Sequence, residues 1–302
     1  MIVTGLALLL FLLLPEAAWA WGFGVHLQLA SELLAQPQLL PPALQALLTA
    51  HSADFFYGCI SADITLGKKY THYLRHCHSW QMGRRILAAA TTPEQQACAW
   101  GYLAHLAADT IAHGEMVPFK TVCSYNSLLL NHAYWELRFE AQVPRAIWLQ
   151  ARQLARHDFS ENDRLLRDQL STTLFSFATN KRLFNSMLLI SRIRRWRKLL
   201  RSLDKRSRWH LAPPERQDYL VRARQAALSV LQEPQSPYFR ADPTGERALQ
   251  LANQLRTNLR NLWLDGKLPA ELSAELLPQI ATLFRDSVTA PEKLLTWSGP
   301  QS

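Results

Sequence analysis

Along most of the chain apolar positions return every three or four residues, the spacing that turns one face of an α-helix toward a core. L-Q-L-A-S-E-L-L-A-Q after Trp21 predicts a helix that stops before Pro37. Pro41-Pro42 opens a second, P-P-A-L-Q-A-L-L-T-A-H, because proline fits a first helical turn, where its missing N–H is not needed. F-F-Y-G-C-I-S-A-D-I-T-L-G-K-K-Y, with Gly58 and Gly67, reads as irregular connection. Helical periodicity resumes over residues 80 to 90. T-T-P-E-Q-Q, residues 91 to 96, then combines a threonine cap with a proline just inside, and predicts a helix running through His113 to Gly114. Another begins near Leu128, carries N-H-A-Y-W-E-L-R-F-E and stops near Pro144. Beyond residue 149 the pattern stays helical, with loops expected at Pro213-Pro214 and in P-Q-S-P near residues 234 to 237. No repeat and no convincing run of strands interrupts it. The expected fold is all-α.

The run G-L-A-L-L-L-F-L-L-L, residues 5 to 14, is the exception to this patterning. It falls short of the roughly 20 apolar residues a membrane span needs. It ends in A-W-A, a small-x-small cleavage pattern, so residues 1–20 are expected to be a signal peptide cut between Ala20 and Trp21. An uncleaved N-terminal anchor is the competing reading, since M-I-V-T carries no basic residue. Export, periplasmic or extracellular, follows from cleavage. The division expected is a core over residues 21–150 and a helical C-terminal region over 151–302 that completes or extends the bundle.

Composition sharpens this in three ways. Only 11 glycines among 302 residues favour helix over sheet. The cysteines Cys59, Cys77, Cys98 and Cys123 form no CxxC metal pattern, and export permits pairing without defining it. The net charge of +9 becomes +10 when Glu16, the only charged residue of 1–20, is removed, which favours anionic partners. Residues 192–208 concentrate nine basic side chains against Asp204 alone. That segment is either a solvated cationic face or, with Trp196 and its leucines, a surface for anionic membrane.

The histidines carry the chemistry. Eight of the ten fall before residue 133. In A-H-L-A-A-D-T-I-A-H-G, His105, Asp109 and His113 recur at intervals of four and share one stripe of a helix. His132 and Glu136 repeat the interval on the next helix. Unpaired, such groups would each cost several kcal/mol to bury, roughly as isolated polar groups do. Metal coordination removes that cost, since imidazole nitrogen and carboxylate oxygen are ordinary zinc ligands. Upstream stand His26, Asp63 and the cluster His72, His76 and His78, more ligands than one tetrahedral ion accepts. Two or three ions are expected. H-E-x-x-H is absent, which removes support for that metalloprotease class.

In this order the motifs resemble the zinc-dependent phospholipase C family, whose mature chains begin with a metal-binding tryptophan. Trp21 after A-W-A matches that start, and His26, Asp63 in S-A-D, and His78 in H-S-W match the next positions. A-H-L-A-A-D-T-I-A-H and N-H-A-Y-W-E supply His105, Asp109, His113, His132 and Glu136. The resemblance covers roughly residues 21 to 144. It implies a multi-helix phospholipase C/nuclease-like bundle with a helical C-terminal extension. It also implies three zinc sites: Asp63, His78, His105 and Asp109; His113, His132, Glu136 and water; and the Trp21 amino and carbonyl groups with His26 and a bridging Asp109. Cleavage before Trp21 would itself create a ligand. Which of His72, His76 and His78 ligates stays open; His78 is preferred because Trp80 follows at aromatic spacing. The four-residue interval from Asp109 to His113 is closer to glycosylphosphatidylinositol phospholipase D than to the bacterial phospholipases. No β-sandwich pattern resembling the clostridial toxins' lipid-binding domain follows.

The implied activity is hydrolysis of a phospholipid to diacylglycerol and a phosphorylated headgroup by zinc-activated water. Asp63 is the expected catalytic residue, orienting the nucleophile or accepting its proton, with Glu115 a weaker candidate. One alternative is a zinc-dependent single-strand nuclease, which W-G-F-G-V-H nearly fits and for which Phe119, Tyr125 and Tyr134 could stack bases. Glu136 stands where those enzymes carry aspartate. Another is a non-catalytic exported zinc protein.

Overall fold

The computed structural model describes residues 21–64, 77–127, 132–170, 177–179, 181–182 and 210–296. The segment 1–20, His72, His76 and the basic run 192–208 lie outside them. The first helix, α1 (Phe23–Leu34), ends before Pro37, and α2 (Pro42–Ala50) starts with its proline in the first turn, as the pattern predicts. Next come α3 (Ser52–Ser61) and a single 3₁₀ turn over Ala62–Ile64. This corrects the irregular connection expected around Gly58. The glycine marks a helix crossing instead of a turn. A Cβ on Gly58 would stand 1.9 Å from the Cys98 carbonyl oxygen, and one on Gly101 would stand 2.2 Å from that of Phe55. Two backbones meet there, and only glycine leaves room.

Helix α4 (Trp80–Ala89) is capped by the Ser79 hydroxyl, which accepts from the Met82 N–H at 3.2 Å. Thr92 does the same for α5 (Pro93–Ile111), accepting from Gln95 at 3.3 Å. From Leu103 to Ile111 every side chain of α5 is buried, because α1, α3 and α4 pack around it. Its many alanines permit that close approach. A π turn (Ala112–Met116) joins α5 to α6 (Val117–Cys123), so the helical path continues past Gly114 but changes winding there. Helix α7 (His132–Glu140) ends before Pro144, followed by α8 (Arg145–Leu154) and α9 (Ser160–Gln169).

The C-terminal half closes over this framework. Helix α10 (Pro213–Gln232) lies against α5 through Ala223, Ala226 and Ala227, all buried. Pro213 occupies its first turn, so Pro213-Pro214 begins a helix and the loop expected there is not found. P-Q-S-P does form a connection, leading into a 3₁₀ turn over Pro237–Arg240. Helices α11 (Glu246–Leu264) and α12 (Ala270–Ser287) form a hairpin with its own apolar cluster against α6, followed by the short α13 (Lys293–Thr296). No strand occurs among the described residues, and the fold is all-α. No described helix is long and apolar enough to cross a membrane. The main core runs from Trp21 to Val288 and draws on residues both before and after 150.

Candidate metal centre

The α5 stripe splits in two. His105 and Asp109 meet within the helix, Nε2 to Oδ2 at 3.1 Å. His113 falls in the π turn, and its Nε2 sits 3.3 Å from Glu136 Oε1 on α7. His113 meets Glu136 as the resemblance implied, but it does so from a wider turn that the helical periodicity did not predict.

Around Asp109 the first group is assembled from four separate segments. His26 Nε2 of α1 stands 3.4 Å from Asp109 Oδ1, and His78 Nε2 stands 3.3 Å from Oδ2. His78 also lies 3.3 Å from Asp63 Oδ1 and 3.1 Å from His105 Nε2. Neither Asp109 oxygen nor His26 Nε2 makes a hydrogen bond, although all are buried. The atoms approach one another without the alignment that hydrogen bonding needs. Zinc–nitrogen bonds of about 2.0–2.1 Å at tetrahedral angles place neighbouring ligand atoms roughly 3.3 Å apart. The observed separations match that edge. His26, His105 and Asp109 form one compact triplet, and Asp63, His78 and His105 another.

The second group joins His113, His132 and Glu136. His132 Nε2 is 2.7 Å from Glu136 Oε1, while the buried Oε2 has no hydrogen-bond partner. Asp63 and His132 are the only members of the two groups that are not buried, so both groups reach solvent along their side.

Two backbone carbonyls aim the imidazoles. His105 Nδ1 donates to the Cys59 carbonyl at 2.8 Å, and His113 Nδ1 donates to that of Pro243 at 2.7 Å. Each bond fixes the tautomer and turns Nε2 toward the shared cavity, the usual second support of a metal-binding histidine. Sequence reasoning missed both, since a carbonyl acceptor leaves no trace in residue type. It also missed Glu140, one turn beyond Glu136. The buried Glu140 carboxylate accepts from the Gly24 and Val25 N–H groups at 2.9 and 3.1 Å, closing the N-terminus of the helix that presents His26. A Cβ at Gly22 would come within 2.4 Å of this carboxyl. The four-residue interval from Glu136, opposite the paired glycines of W-G-F-G, was the available signal.

The electrostatics follow from burial and neighbours. Burial alone pushes the Asp109 carboxyl up, but the His105 and His113 imidazoles outweigh it and hold Asp109 well below the usual carboxylate range. Burial and nearby His105 lower His26. Burial opposes the charged form of His113, yet Asp109 and Glu136 raise it to about 9. His105 is likewise raised against its burial, by Asp109 and Asp63.

Other expectations fare differently. Trp21 is buried and stacks on Phe139 with ring centroids 4.5 Å apart. Glu115, the weaker catalytic candidate, is buried, with its carboxylate 3.1 Å from Arg222 and 3.2 Å from Arg285. It braces the π turn against α10 and α12. Phe119 and Tyr125, both half-buried, pack against the hairpin cluster, and half-buried Tyr134 packs against the main core. Cys59 and Cys98 are buried free thiols.

A family model described as zinc dependent phospholipase C matches residues 25–181, just over half of the chain. The chain belongs to the zinc-dependent phospholipase C family. The family is one of phospholipase C-type hydrolases, and its zinc dependence accords with the buried triplets. The matched span holds every side chain of both groups; Trp21 precedes it and Pro243 follows it. No curated protein and no solved structure gave a match.

Proposed function

We propose that this member of the family is an exported hydrolase that cleaves a phospholipid to diacylglycerol and a phosphorylated headgroup, with two to three zinc ions held by Asp63, His78, His105, Asp109, His26, His113, His132 and Glu136. The observation that carries this is Asp109: a fully buried carboxyl group whose two oxygens make no hydrogen bond while imidazole nitrogens stand 3.1, 3.3 and 3.4 Å away. Such a group, ionised, would be costly to bury without a cation. Bound zinc would supply acidified water and neutralise phosphoryl charge.

The chain's own residues have distinct tasks. His105 and His113, locked by the Cys59 and Pro243 carbonyls, keep their Nε2 lone pairs facing the cavity. His105 belongs to both triplets, and Asp109, with its oxygens 3.4 Å from His26 and 3.3 Å from His78, supplies negative charge between them. Asp63 is the carboxylate of the groups nearest to solvent, placed to orient a water and take its proton. Removal of residues 1–20 would free the Trp21 amino group, which with its carbonyl, His26 and Asp109 completes a third site. The second group would offer a zinc ion three protein ligands, His113, His132 and Glu136, which is the number typical of catalytic zinc. That favours an enzyme over a purely structural zinc protein.

The test is a comparison of substrates by zinc-loaded protein. Hydrolysis of phosphatidylcholine with release of phosphocholine, and no degradation of single-stranded DNA, is the expected result. The reverse preference would turn the assignment to a nuclease. For the run 192–208 we propose attraction to anionic lipid: neutralising Arg194, Arg195, Arg197 and Lys198 should weaken binding to anionic vesicles, and unchanged binding would reduce the run to a solvated face.

A further inference from the structure

The far end of the α11–α12 hairpin is an uncovered apolar surface. Every residue from Asn261 to Lys267 is exposed, and among them Leu262, Trp263 and Leu264 are 37, 43 and 61 % accessible, with Leu272 at 38 % on the facing helix. A firm turn holds them there. Gly266, at φ 69°, receives the reversal; its N–H donates to the Trp263 carbonyl at 3.1 Å and the Lys267 N–H donates to that of Leu262 at 2.8 Å. These are the paired bonds of a glycine-terminated helix end. The apolar contact that often accompanies this cap is missing, since Lys267 stands where an apolar residue would fold back. The leucines and the tryptophan therefore do not serve the turn.

We propose that this tip inserts into the surface of a zwitterionic phospholipid bilayer and docks the protein on its substrate phase, an inference that rests on the phospholipase assignment. Charge selects the lipid. Around the turn the sequence sets Arg260 and Lys267 against Asp265, Glu271 and Glu275, with Lys267 and Asp265 paired at 3.3 Å, so the tip has no excess of positive charge to draw it to anionic headgroups. Apolar insertion must carry the contact. Tryptophan suits the headgroup boundary and leucine the layer beneath it. A tip of four side chains is also far smaller than the roughly 800 Å² per partner of a stable protein interface. The hairpin's root packs on α6, the continuation of the π turn that holds His113, so packed helices join the tip to the metal centre.

Flotation of the intact protein with phosphatidylcholine vesicles tests this, using Trp263→Ser/Leu264→Ser and, separately, Leu272→Ser. The double variant should lose about tenfold or more in partitioning, the scale of burying one or two large apolar side chains. Wild-type partitioning should stay constant across a roughly tenfold change in salt, unlike binding driven by surface charge. Hydrolysis of a water-soluble short-chain phosphatidylcholine, below its micelle concentration, should be unchanged in both variants, which also shows that they fold. Equal partitioning of variant and wild type, no wild-type partitioning, or a wild-type dimer that the double variant dissociates would each overturn the proposal. If neither lipid is hydrolysed while partitioning still depends on Trp263, the phospholipase assignment falls and the docking surface stands.

Discussion

Asp109 is the residue on which the centre turns. Asp109→Asn keeps the shape, removes the charge and leaves an amide among imidazoles. Supporting residues around metal sites are worth about 10–100-fold in affinity or activity, so loss of this ligand should exceed ~100-fold. Zinc per chain and phosphodiesterase rate, read together, check it; an active, fully loaded variant would remove Asp109 from the site. His113 makes a pH prediction whose sign differs between metal-free and loaded protein. Without metal its folded pKa, raised to about 9, exceeds the ordinary 6.5. Its contribution to stability is then fully present below about 6.5 and lost as pH rises through about 9. With zinc present the proton must leave, so affinity should climb over that same window. Urea melts of stripped protein and zinc titrations across pH measure the two trends, and parallel slopes would contradict the assignment. Glu140→Ala should cost about 2–4 kcal/mol in a denaturant melt, because two buried N–H groups lose their acceptor.

The helices were legible where the sequence punctuates them. Thr92-Pro93 starts α5 and Pro37 follows the end of α1, since caps and prolines act locally. The His105–Asp109 interval pointed to a shared face for the same reason. Gly58 misled because glycine serves both turns and close crossings, and only Gly101, 43 positions away, shows which applies. The π turn over Ala112–Met116 was also hidden, since winding depends on packing against α10 and α12 as well as on local propensity. Asp63 and His78 have no shared spacing with α5; the sequence offered them only as upstream candidates, and the resemblance chose His78 from its cluster. The crossing can be tested directly. Gly58→Ala forces the α3 and α5 backbones apart, beyond the about 1–3 kcal/mol usual for overpacking. It should also shift the Cys59 carbonyl that aims His105, so stability and zinc retention should fall together. Full zinc retention in a destabilised variant would separate the crossing from the centre.

As a whole, the molecule places its chemistry in the first half and its closure in the second. Residues 25–181 carry all the side-chain groups of the centre, yet α10 covers α5 and Pro243 orients His113. A chain ending at residue 181 should therefore fail to fold cooperatively or to retain zinc, as circular dichroism and metal analysis would report. The C-terminal contribution was the least readable part of the sequence, because its role is filled by alanines and one carbonyl. The most direct measurement is the metal content of native, mature protein by mass spectrometry, taken beside the Asp109→Asn variant. Roughly two to three zinc ions per chain, with loss of at least one in the variant, is the expected result. Native protein that carries no zinc and gains none on titration, while remaining folded, would contradict the centre described here.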